Sequence, residues 1–577
     1  MNRFLLYAVI APSAIAVTSC VDDNYDLSDI DTTAKIQVSD LTLPVNIEPI
    51  TLSSIFDIDP TDPDATIKEI NGSYAVVKNG TFSSSEIRIN PVMLSGMSGE
   101  AVSVSIPTRV GGQTPSVGMK VSLPISSNEI DYSYSSSNVP AEIVSIDRIS
   151  GQFRLSFSLA FENLESISRI TLRNLQIQLP KGLQTVVSEG YYDAATGMFS
   201  LVEKIVTDGN FTLSLDCSGI DYAQSGAVFN PNDHSARLEG SVKLVSGDIG
   251  INGADVIGPF PSQIGMTTSF AMSDINVDKF SGEINYDITG VDISDVSLDD
   301  LPDVLSQQGT SIKLANPQIY LNISNPLSAY GLGATTGMSI TSHFLPEQST
   351  PDATYSLDAP GYFTVSSEAS SSYVLSPSLP SSLYPGYSNP LHVPYTSLSS
   401  VLSGNGLPSY LSITLNSPRV FTQPVVDLPL GTSLGVVGGN YEFFAPLAFN
   451  EGSQLVYTET ENGWNDEDVD AITIEKLVVT TTVSSSLPFS VDLTGYPIDI
   501  EGKQIENVII EGASVPANAS NQEVTIRITG EVKHLDGIIF TAKGRVPADM
   551  QQAISPSQSL DCKDIRATVS GFYLKEL

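Results

Sequence analysis

A two-residue hydrophobic period recurs along most of this chain and limits the folds open to it. In residues 153–159 an apolar side chain occupies every second position with a polar one between, as in Phe153, Arg154, Leu155, Ser156 and Phe157. Segments 211–215, 284–288 and 524–528 show the same pattern. Such alternation places all the apolar side chains on one face of an extended strand. The sequence therefore predicts half-buried strands of antiparallel sheets, and hence an all-β fold.

Helix signals are few. Charged residues make up only 16% of the chain, and its 43 Gly and 35 Pro leave few segments suited to helix surfaces. One short helix is predicted over Leu298–Gln307, where apolar residues share a face and Pro302 lies near the start. Asp536-Gly537, set between Leu535 and Ile538, predicts a tight hairpin because both central positions tolerate positive φ.

An internal repeat organises the middle of the chain. Ile170–Leu179 matches Ile312–Leu321 at six of ten positions, and Ile146–Gly151 upstream of the first is mirrored by Val277–Gly282 upstream of the second. This pattern predicts a duplicated β-domain. The apolar alternation changes its parity at the shared asparagine, Asn174 or Asn316, so the apolar side chains move to the other face of the strand. This change predicts a bulge or a strand crossing there and a turn-forming role for both asparagine side chains.

Two segments, Asn325-Pro326-Leu327 and Leu487-Pro488-Phe489, join strands through Asn-Pro or Leu-Pro. They are similar to the strand-Asn-Pro-strand pattern of the desiccation-related immunoglobulin-like family. The resemblance implies architecture only: tandem immunoglobulin-like β-sandwich domains with an internal duplication, of the size usual for such sandwiches. The predicted units are a β-domain over 46–145, repeat copy 1 over 146–276, repeat copy 2 over 277–469 and a C-terminal sandwich over 470–577.

Residues 354–400, within the second repeat copy, differ in composition. They are rich in Ser, Pro and Tyr and show little alternation. We expect a long surface loop or insertion here. Loops carried by rigid sandwiches are frequent binding sites.

The N-terminus carries an export pattern. Asn2-Arg3 precedes the apolar run Phe4–Val17, and the small residues of Val17-Thr18-Ser19 lead directly to Cys20. A run of 14 residues is too short to span a bilayer comfortably. The pattern resembles a bacterial lipobox, which implies that 1–19 is a signal peptide and that Cys20 is lipidated. An ordinary signal peptide or membrane helix with a chance cysteine is the alternative.

The residues after Cys20 specify a location. Residues 20–45 begin with an acidic stretch that is poor in apolar side chains, as expected of a flexible tether. Acidic residues in this place resemble the signal that sends outer-membrane lipoproteins of the Bacteroides group to the cell exterior. A merely solvated linker on a periplasm-facing anchor is the alternative. Asp31-Thr32-Thr33 is also similar to the O-glycosylation acceptor of these bacteria, with Thr32 as the acceptor.

Charge and composition exclude several function classes. With 65 acidic and 27 basic residues the net charge is −38, so nucleic acid is not an expected partner. No two of the four histidines have metal-ligand spacing, and no metal site or cofactor is expected. Cys217 and Cys562 lie far apart and are predicted to be buried, unpaired thiols, with a disulfide between two distant domains as the alternative. No catalytic set is identified.

One ligand-binding position is predicted. Sugar sites combine aromatic platforms with carboxylates and amides. Trp464, the single tryptophan, lies beside an acidic stretch that contains Asp466 and Asp468, and these three residues are the predicted ligand contacts. The alternative is that Trp464 packs inside the last domain.

Together these features predict a non-enzymatic lipoprotein of the outer membrane, facing the cell exterior. It would attach to the membrane through its N-terminal lipid and bind or adhere to a glycan or protein ligand. A structural spacer or assembly component of the envelope is one alternative. A carboxylate-dependent glycoside hydrolase on the same scaffold is the other.

Overall fold

The computed structural model describes residues 33–43, 50–58, 62, 65–109, 118–136, 138–298, 301–465, 472–550 and 552–576. Its strands are β1 Thr33–Leu43, β2 Ile50–Thr51, β3 Ile67–Ile70, β4 Ser73–Ser83, β5 Val92–Leu94, β6 Met97–Ser98, β7 Val102–Pro107, β8 Val121–Pro124, β9 Asn128–Ser136, β10 Ile143–Glu162, β11 Ile170–Gln178, β12 Leu183–Thr185, β13 Tyr191–Asp193, β14 Met198–Val206, β15 Asn210–Asp221, β16 Val228–Asn230, β17 Ser235–Ile251, β18 Gln263–Met272, β19 Ile275–Val277 and β20 Lys279–Asp287. They continue with β21 Val296–Ser297, β22 Gln318–Ser324, β23 Ala334–His343, β24 Ala353–Ser356, β25 Phe363–Val365, β26 Ser370–Ser376, β27 Leu391–Pro394, β28 Tyr410–Pro429, β29 Gly438–Pro446, β30 Gln454–Glu461, β31 Thr473–Ser485, β32 Ser490–Ile498, β33 Ile509–Glu511, β34 Ala513–Val515, β35 Gln522–Val532, β36 Gly537–Arg545 and β37 Ser559–Glu576.

Helices are short, and the predicted all-β fold is confirmed. The α-helices are α1 Leu52–Phe56, α2 Tyr222–Ser225 and α3 Leu398–Val401, and the 3₁₀ helices are Gly253–Asp255, Asp303–Leu305, Pro326–Tyr330 and Pro346–Gln348. None of the described helices has the length and apolar character needed to cross a membrane.

The helix predicted over Leu298–Gln307 is wrong. Among the described residues of this range, only the turn Asp303–Leu305 is helical, of the 3₁₀ type, because Leu298 and Leu305 bond to a segment distant in sequence. The Leu298 N–H donates to the Ser409 carbonyl, and the Leu407 N–H donates to the Leu305 carbonyl. Leu298 and Leu305 are buried all the same. The apolar pattern therefore marked a buried segment and not a helix.

The described residues form six sheets. The largest has twelve strands in the order β12-β15-β10-β20-β28-β23-β24, with β18, β7, β6, β21 and β25 attached beside it. A seven-stranded sheet (β13-β14-β11-β17-β16, with β8 and β9) and a six-stranded sheet (β27-β26-β22-β29-β4-β3) are the next largest. The C-terminal region adds β1-β37-β31-β35-β33 with β2, and β30-β36-β32-β34. The sixth sheet is the pair β19-β5.

Both halves of the twelve-stranded sheet pack face to face with another sheet. At one end Phe270 of β18 contacts Tyr132 of the seven-stranded sheet, with ring centroids 5.6 Å apart. At the other end Phe363 of β25 contacts Tyr373 of the six-stranded sheet at 5.3 Å. Buried aromatic pairs at these separations are typical of sandwich cores.

The upstream segments of the internal repeat are neighbours in space. β10 and β20 pair antiparallel, with Ile149 opposite Phe280 and Ile146 opposite Gly282. Two equivalent strands paired in this way are related by a local two-fold axis. Asn174 has φ 49°, and the register of β11 against β17 shifts between Arg173 and Gln176. The bulge predicted at Asn174 is therefore confirmed, whereas Asn316 lies in the connection before β22.

Sheets join strands across the predicted domain bounds. β8 and β9, from the predicted first domain, pair with β17 of repeat copy 1, and β4 pairs with β29 of repeat copy 2. β1, inside the predicted tether, pairs with the C-terminal strand β37 over most of its length. The chain therefore runs repeatedly between the sandwiches, and the C-terminal sandwich includes β1, the first strand that the structure describes.

The hairpin predicted at Asp536-Gly537 is wrong. β35 pairs with β31 and β33, whereas β36 pairs with β30 and β32 in the opposing sheet. The connection over 533–536 thus crosses from one sheet to the other. Its backbone is satisfied on the way, since the Asp536 N–H donates to the Ile498 carbonyl at 2.9 Å. Leu535 and Ile538 are fully buried on either side.

Residues 354–400 are not the long loop expected from composition. They contribute β25, β26, β27 and most of β24, and α3 begins within them. Two of their tyrosines are fully buried with their hydroxyls bonded: Tyr373 accepts from the Ser366 N–H, and Tyr395 donates to the Tyr355 carbonyl, both at 2.8 Å. Aromatic burial, which composition does not reveal, draws this segment into the sheets.

Candidate functional site

Most of the site residues predicted from sequence lie outside the described residues. These are Val17, Thr18, Ser19 and Cys20 of the lipobox, the glycosylation candidate Thr32, and the ligand candidates Asp466 and Asp468. Their roles stay predictions.

Trp464 is described, and it packs in the core of the C-terminal sandwich. Its side chain is only 6% exposed and belongs to an apolar cluster with Ile474, Leu477 and Leu535. Its backbone N–H donates to the Asp536 carbonyl at 2.7 Å, while the indole Nε1 is buried without a hydrogen-bond partner among the described residues. This is the environment of a packing residue, which was the alternative interpretation of this tryptophan.

The two cysteines in the described part of the chain, Cys217 and Cys562, are free thiols in different sheets. Cys217 lies in β15 and is fully buried, and Cys562 lies in β37. Burial raises the pKa of Cys217 to about 12 and that of Cys562 to about 11. Both therefore stay protonated at ordinary pH and are poor nucleophiles.

The best candidate site is the outer face of the neighbouring strands β23 and β28. Every second residue of β23 points into the core, from Thr336 to Ser342, and is buried. The alternate residues Thr335, Ser339, Thr341 and His343 therefore share the outer face. We call this surface, with the residues that flank it on β25 and on the segments around 295 and 352, the outer face.

One end of the outer face forms a cleft of about 690 Å³. It is lined by Thr335, Gly337, Gly361, Tyr362, Thr364, Asn416, Ser417, Arg419 and Phe421. Two of these are large side chains left in solvent: Tyr362 is 51% exposed and Phe421 is 37% exposed. Because a monomeric protein gains by burying aromatic rings, two exposed rings in one cleft indicate a contact surface.

Cross-strand pairing supplies the polar groups of this cleft. Thr335 of β23 lies opposite Thr364 of β25 on one side and opposite Arg419 of β28 on the other. The Arg419 side chain is exposed and makes no ion pair with any described residue. Its five N–H donors thus face solvent next to the two exposed rings.

Backbone irregularities shape the cleft. The β23–β28 register shifts between Thr335 and Gly337, and Ser417 in the opposing bulge has φ 47°. At Gly337 a Cβ would lie only 2.7 Å from the Gly361 carbonyl oxygen. The absence of a side chain at Gly337 therefore lets the turn that carries Tyr362 lie directly over the strand.

Hydrogen bonds hold the turn that carries Tyr362 in place. The Gly361 N–H donates to the Asp358 carbonyl at 2.7 Å. The Asp358 carboxylate accepts from the Thr396 hydroxyl at 2.7 Å and from the Thr396 N–H. Tyr362 is thus held on an anchored turn, which reduces the entropy cost of using it as a contact.

Hydroxyls and one amide occupy the middle of the outer face. The Thr341 and Thr354 hydroxyls are 2.9 Å apart, and Asn416 Nδ2 donates to the Ser339 hydroxyl at 3.1 Å. These groups pair with one another in the free protein. They can also bond to a polar ligand that lies along the strands.

The other end of the outer face carries a hydrogen-bonded chain. His343 Nδ1 lies 2.7 Å from Asp352 Oδ2, and His343 Nε2 lies 3.3 Å from the Ser412 hydroxyl. The Ser412 hydroxyl donates to Asp295 Oδ1 at 2.7 Å. The imidazole is stacked on Tyr410, with ring centroids 4.2 Å apart and an interplanar angle of 9°. The Phe344 N–H, followed by His343, lowers the pKa of Asp352.

Ser412, His343 and Asp352 have the residue types of a hydrolytic triad. The Ser412 hydroxyl lies between two partners, because it donates to Asp295 Oδ1 and also lies 3.3 Å from His343 Nε2. His343 Nδ1 is bonded in turn to Asp352.

Sequence reasoning missed the residues of the cleft. Tyr362 lies inside the segment singled out by composition, so its neighbourhood was indicated. Phe421 follows the buried Val420 on β28, so it lies at an outward-facing position, where the alternation of the strand predicts a polar residue. The sequence could have indicated this residue, because an aromatic side chain at an outward-facing position of a strand is unusual.

Comparisons with known proteins give little further information. No family model and no curated protein matches the chain. One similar solved structure is the crystal structure of a "putative secreted protein" from Parabacteroides distasonis, 16% identical, covering 51% of this chain and 90% of the other with a TM-score of 0.36. Another is the triple jelly roll fold of an archaeal virus, 10% identical, covering 84% of this chain and 90% of the other with a TM-score of 0.10. These TM-scores are too low to assign a fold or a function by similarity.

Proposed function

We propose that this protein is a lipid-anchored, surface-exposed outer-membrane protein that binds glycans, without chemistry, in the cleft on the outer face of β23 and β28. The single observation that carries the proposal is the pair of exposed rings, Tyr362 and Phe421, in one cleft with Arg419 and Asn416. Aromatic rings stack on the apolar faces of sugars, while amide and guanidinium groups bond to the hydroxyls.

The anchor proposal agrees with the position of β1. Residues 21–32 separate Cys20 from Thr33, where β1 begins. A chain of that length reaches at most about 45 Å when fully extended. Because β1 pairs with β37, a lipid on Cys20 would hold the C-terminal sandwich close to the membrane. The cleft belongs to a different sheet, in the middle of the chain.

A glycoside hydrolase is the weaker candidate. Such an enzyme needs a carboxylic acid whose pKa is raised, so that it can protonate the leaving group. On the outer face, Asp352 has a pKa shifted in the opposite direction, and Glu442, a carboxyl group whose pKa burial raises, lies in a different sheet. A purely structural spacer is disfavoured by the two exposed rings, which a spacer does not require.

The anchor is tested on intact cells. Protease shaving should remove the wild-type protein, and a Cys20→Ala variant should be released in soluble form. Protection of the wild type until the outer membrane is broken would rule out surface display. A Cys20→Ala variant that stays in the membrane fraction would rule out the lipid anchor.

The cleft is tested with a glycan array and the purified chain that starts after Cys20. We expect the wild type to retain glycans and the Tyr362→Ala/Phe421→Ala double variant to lose them. Tyr191→Ala is the matched control, since Tyr191 is 65% exposed on β13, in a different sheet. Equal binding by all three proteins would exclude the cleft. Shortened glycans recovered after incubation would support the hydrolase instead.

A further inference from the structure

The far end of the outer face offers a second aromatic platform. Tyr410 begins β28, is 37% exposed and has its ring stacked on His343. The stack and the Asp352 bond hold the imidazole in place, so the platform is rigid before any ligand arrives. Rigid aromatic contacts cost little entropy on binding.

The two platforms lie along the same pair of strands. Thr335, in the cleft, and His343 are eight residues apart on β23 and share its outward parity. At about 3.3 Å per residue this separation is about 26 Å. A single sugar ring is far shorter than that span, whereas an unbranched chain of several rings can cover it.

The surface between the platforms suits such a chain. It presents Ser339, Thr341, Thr354 and Asn416, which are short polar side chains without charge. Sugar hydroxyls both donate and accept hydrogen bonds, as these side chains do. The polar path is therefore continuous from one platform to the other.

Charge selects among linear glycans. The protein carries a net charge of −38, and two carboxylates, Asp295 and Asp352, lie at the far platform. Arg419 is the cation that lines the cleft. At physiological ionic strength the screening length is about 8 Å, so an acidic glycan lying against these carboxylates would be repelled by them. Neutral sugar hydroxyls can donate hydrogen bonds to these carboxylates without electrostatic repulsion.

We infer that the ligand is a linear, uncharged glycan of several rings, which occupies the outer face from the Tyr362–Phe421 cleft to the His343–Tyr410 stack. This inference rests on the proposed function and specifies its ligand class. The cleft contacts one end of the glycan and the stack contacts the other. Affinity therefore rises with chain length until both platforms are covered.

The test measures affinity against chain length by calorimetry. The probes are unbranched gluco- and manno-oligosaccharides, from disaccharides to octasaccharides, and oligogalacturonides as acidic counterparts. For a neutral series that the wild type binds, we expect the octasaccharide to bind at least about tenfold more tightly than the disaccharide. One additional stacking contact can supply a factor of this size. Oligogalacturonides should bind more weakly at each length.

Two variants separate the platforms. Phe421→Ala should weaken binding at every length, whereas Tyr410→Ala should weaken only the long chains and bring them to the affinity of the short ones. Tyr191→Ala should change neither. Thermal unfolding checks that each variant is folded, and Tyr410→Leu, which keeps an apolar side chain on β28 without a ring, replaces Tyr410→Ala if that variant is unstable.

The outcomes are distinguishable. Affinity that does not depend on length, a Tyr410→Ala effect that is equal at all lengths, or a preference for oligogalacturonides would overturn the inference and leave glycan binding in the cleft standing. Failure of the wild type to bind any oligosaccharide would overturn the inference together with the proposed function.

Discussion

Gly337 and Gly361 lie in direct contact: a Cβ built on Gly337 would come within 2.7 Å of the Gly361 carbonyl oxygen. This contact joins the core sheet to the turn that presents Tyr362. It couples the backbone of β23 to the geometry of the proposed binding cleft.

Gly337→Ala should impair binding more than folding. The added methyl group meets a backbone atom, so the turn must move away and carry Tyr362 with it, at a cost of about 1–3 kcal/mol in unfolding free energy. Glycan affinity and urea denaturation would measure the two effects. Gly258→Ala is the control, since its nearest neighbour is the Ser166 hydroxyl at 3.3 Å. Unchanged affinity in Gly337→Ala would show that the turn does not position a contact.

Arg419→Met should lower glycan affinity without lowering stability. The guanidinium has no ion pair with a described residue, so its loss leaves no buried partner unsatisfied, and surface changes of this kind usually stay within about 0.5 kcal/mol. Calorimetry and thermal unfolding of the two proteins would check this. A large drop in melting temperature would contradict the solvent-facing role of Arg419.

Trp464→Ala should unfold the C-terminal sandwich more easily, by about 3–5 kcal/mol, because it removes a buried indole from the core. Glycan affinity of the folded variant should stay at the wild-type level. Denaturant unfolding and glycan-array binding would be measured on the same preparation of each protein. Lost binding with unchanged stability would restore Trp464 as the ligand contact predicted from sequence.

Asp352 should stabilise the far platform only above acid pH. Its folded pKa lies below the ordinary value of 3.8, chiefly because the Phe344 N–H bonds to the carboxylate, and His343 adds to the effect. A carboxyl group whose pKa is lower in the folded protein than in the unfolded chain stabilises the fold fully at pH values above its unfolded pKa. That stabilisation is lost as the pH falls through the pKa of the folded state. Melting temperatures of wild type and Asp352→Asn should thus differ at pH 7 and converge in strong acid. A difference that grows in acid would have the wrong sign.

The thiols should resist labelling in the native state. Burial holds the pKa of Cys217 near 12 and that of Cys562 near 11, so little thiolate exists at pH 8. A thiol reagent applied to the purified chain that starts after Cys20 should react slowly before denaturation and fully after it. Fast native labelling would show that one of these strands opens to solvent.

The sequence by itself determined the class of fold and much of the local structure. Alternation along 153–159 predicted the buried face of β10, and Phe153, Leu155 and Phe157 are indeed buried. The change of parity at Asn174 predicted a bulge, which the positive φ of that residue confirms. These features are local because a two-residue period fixes which side chains share a face.

Only the tertiary structure decided which strands pair and where a site forms. Asp536-Gly537 has the chemistry of a hairpin turn, yet the strands on either side belong to opposing sheets. Tyr362 and Phe421 are distant in sequence and line the same cleft because β25, β23 and β28 lie side by side in one sheet. Periodicity marks a strand's buried face but not its partner, since pairing depends on the summed packing of side chains far apart in the chain.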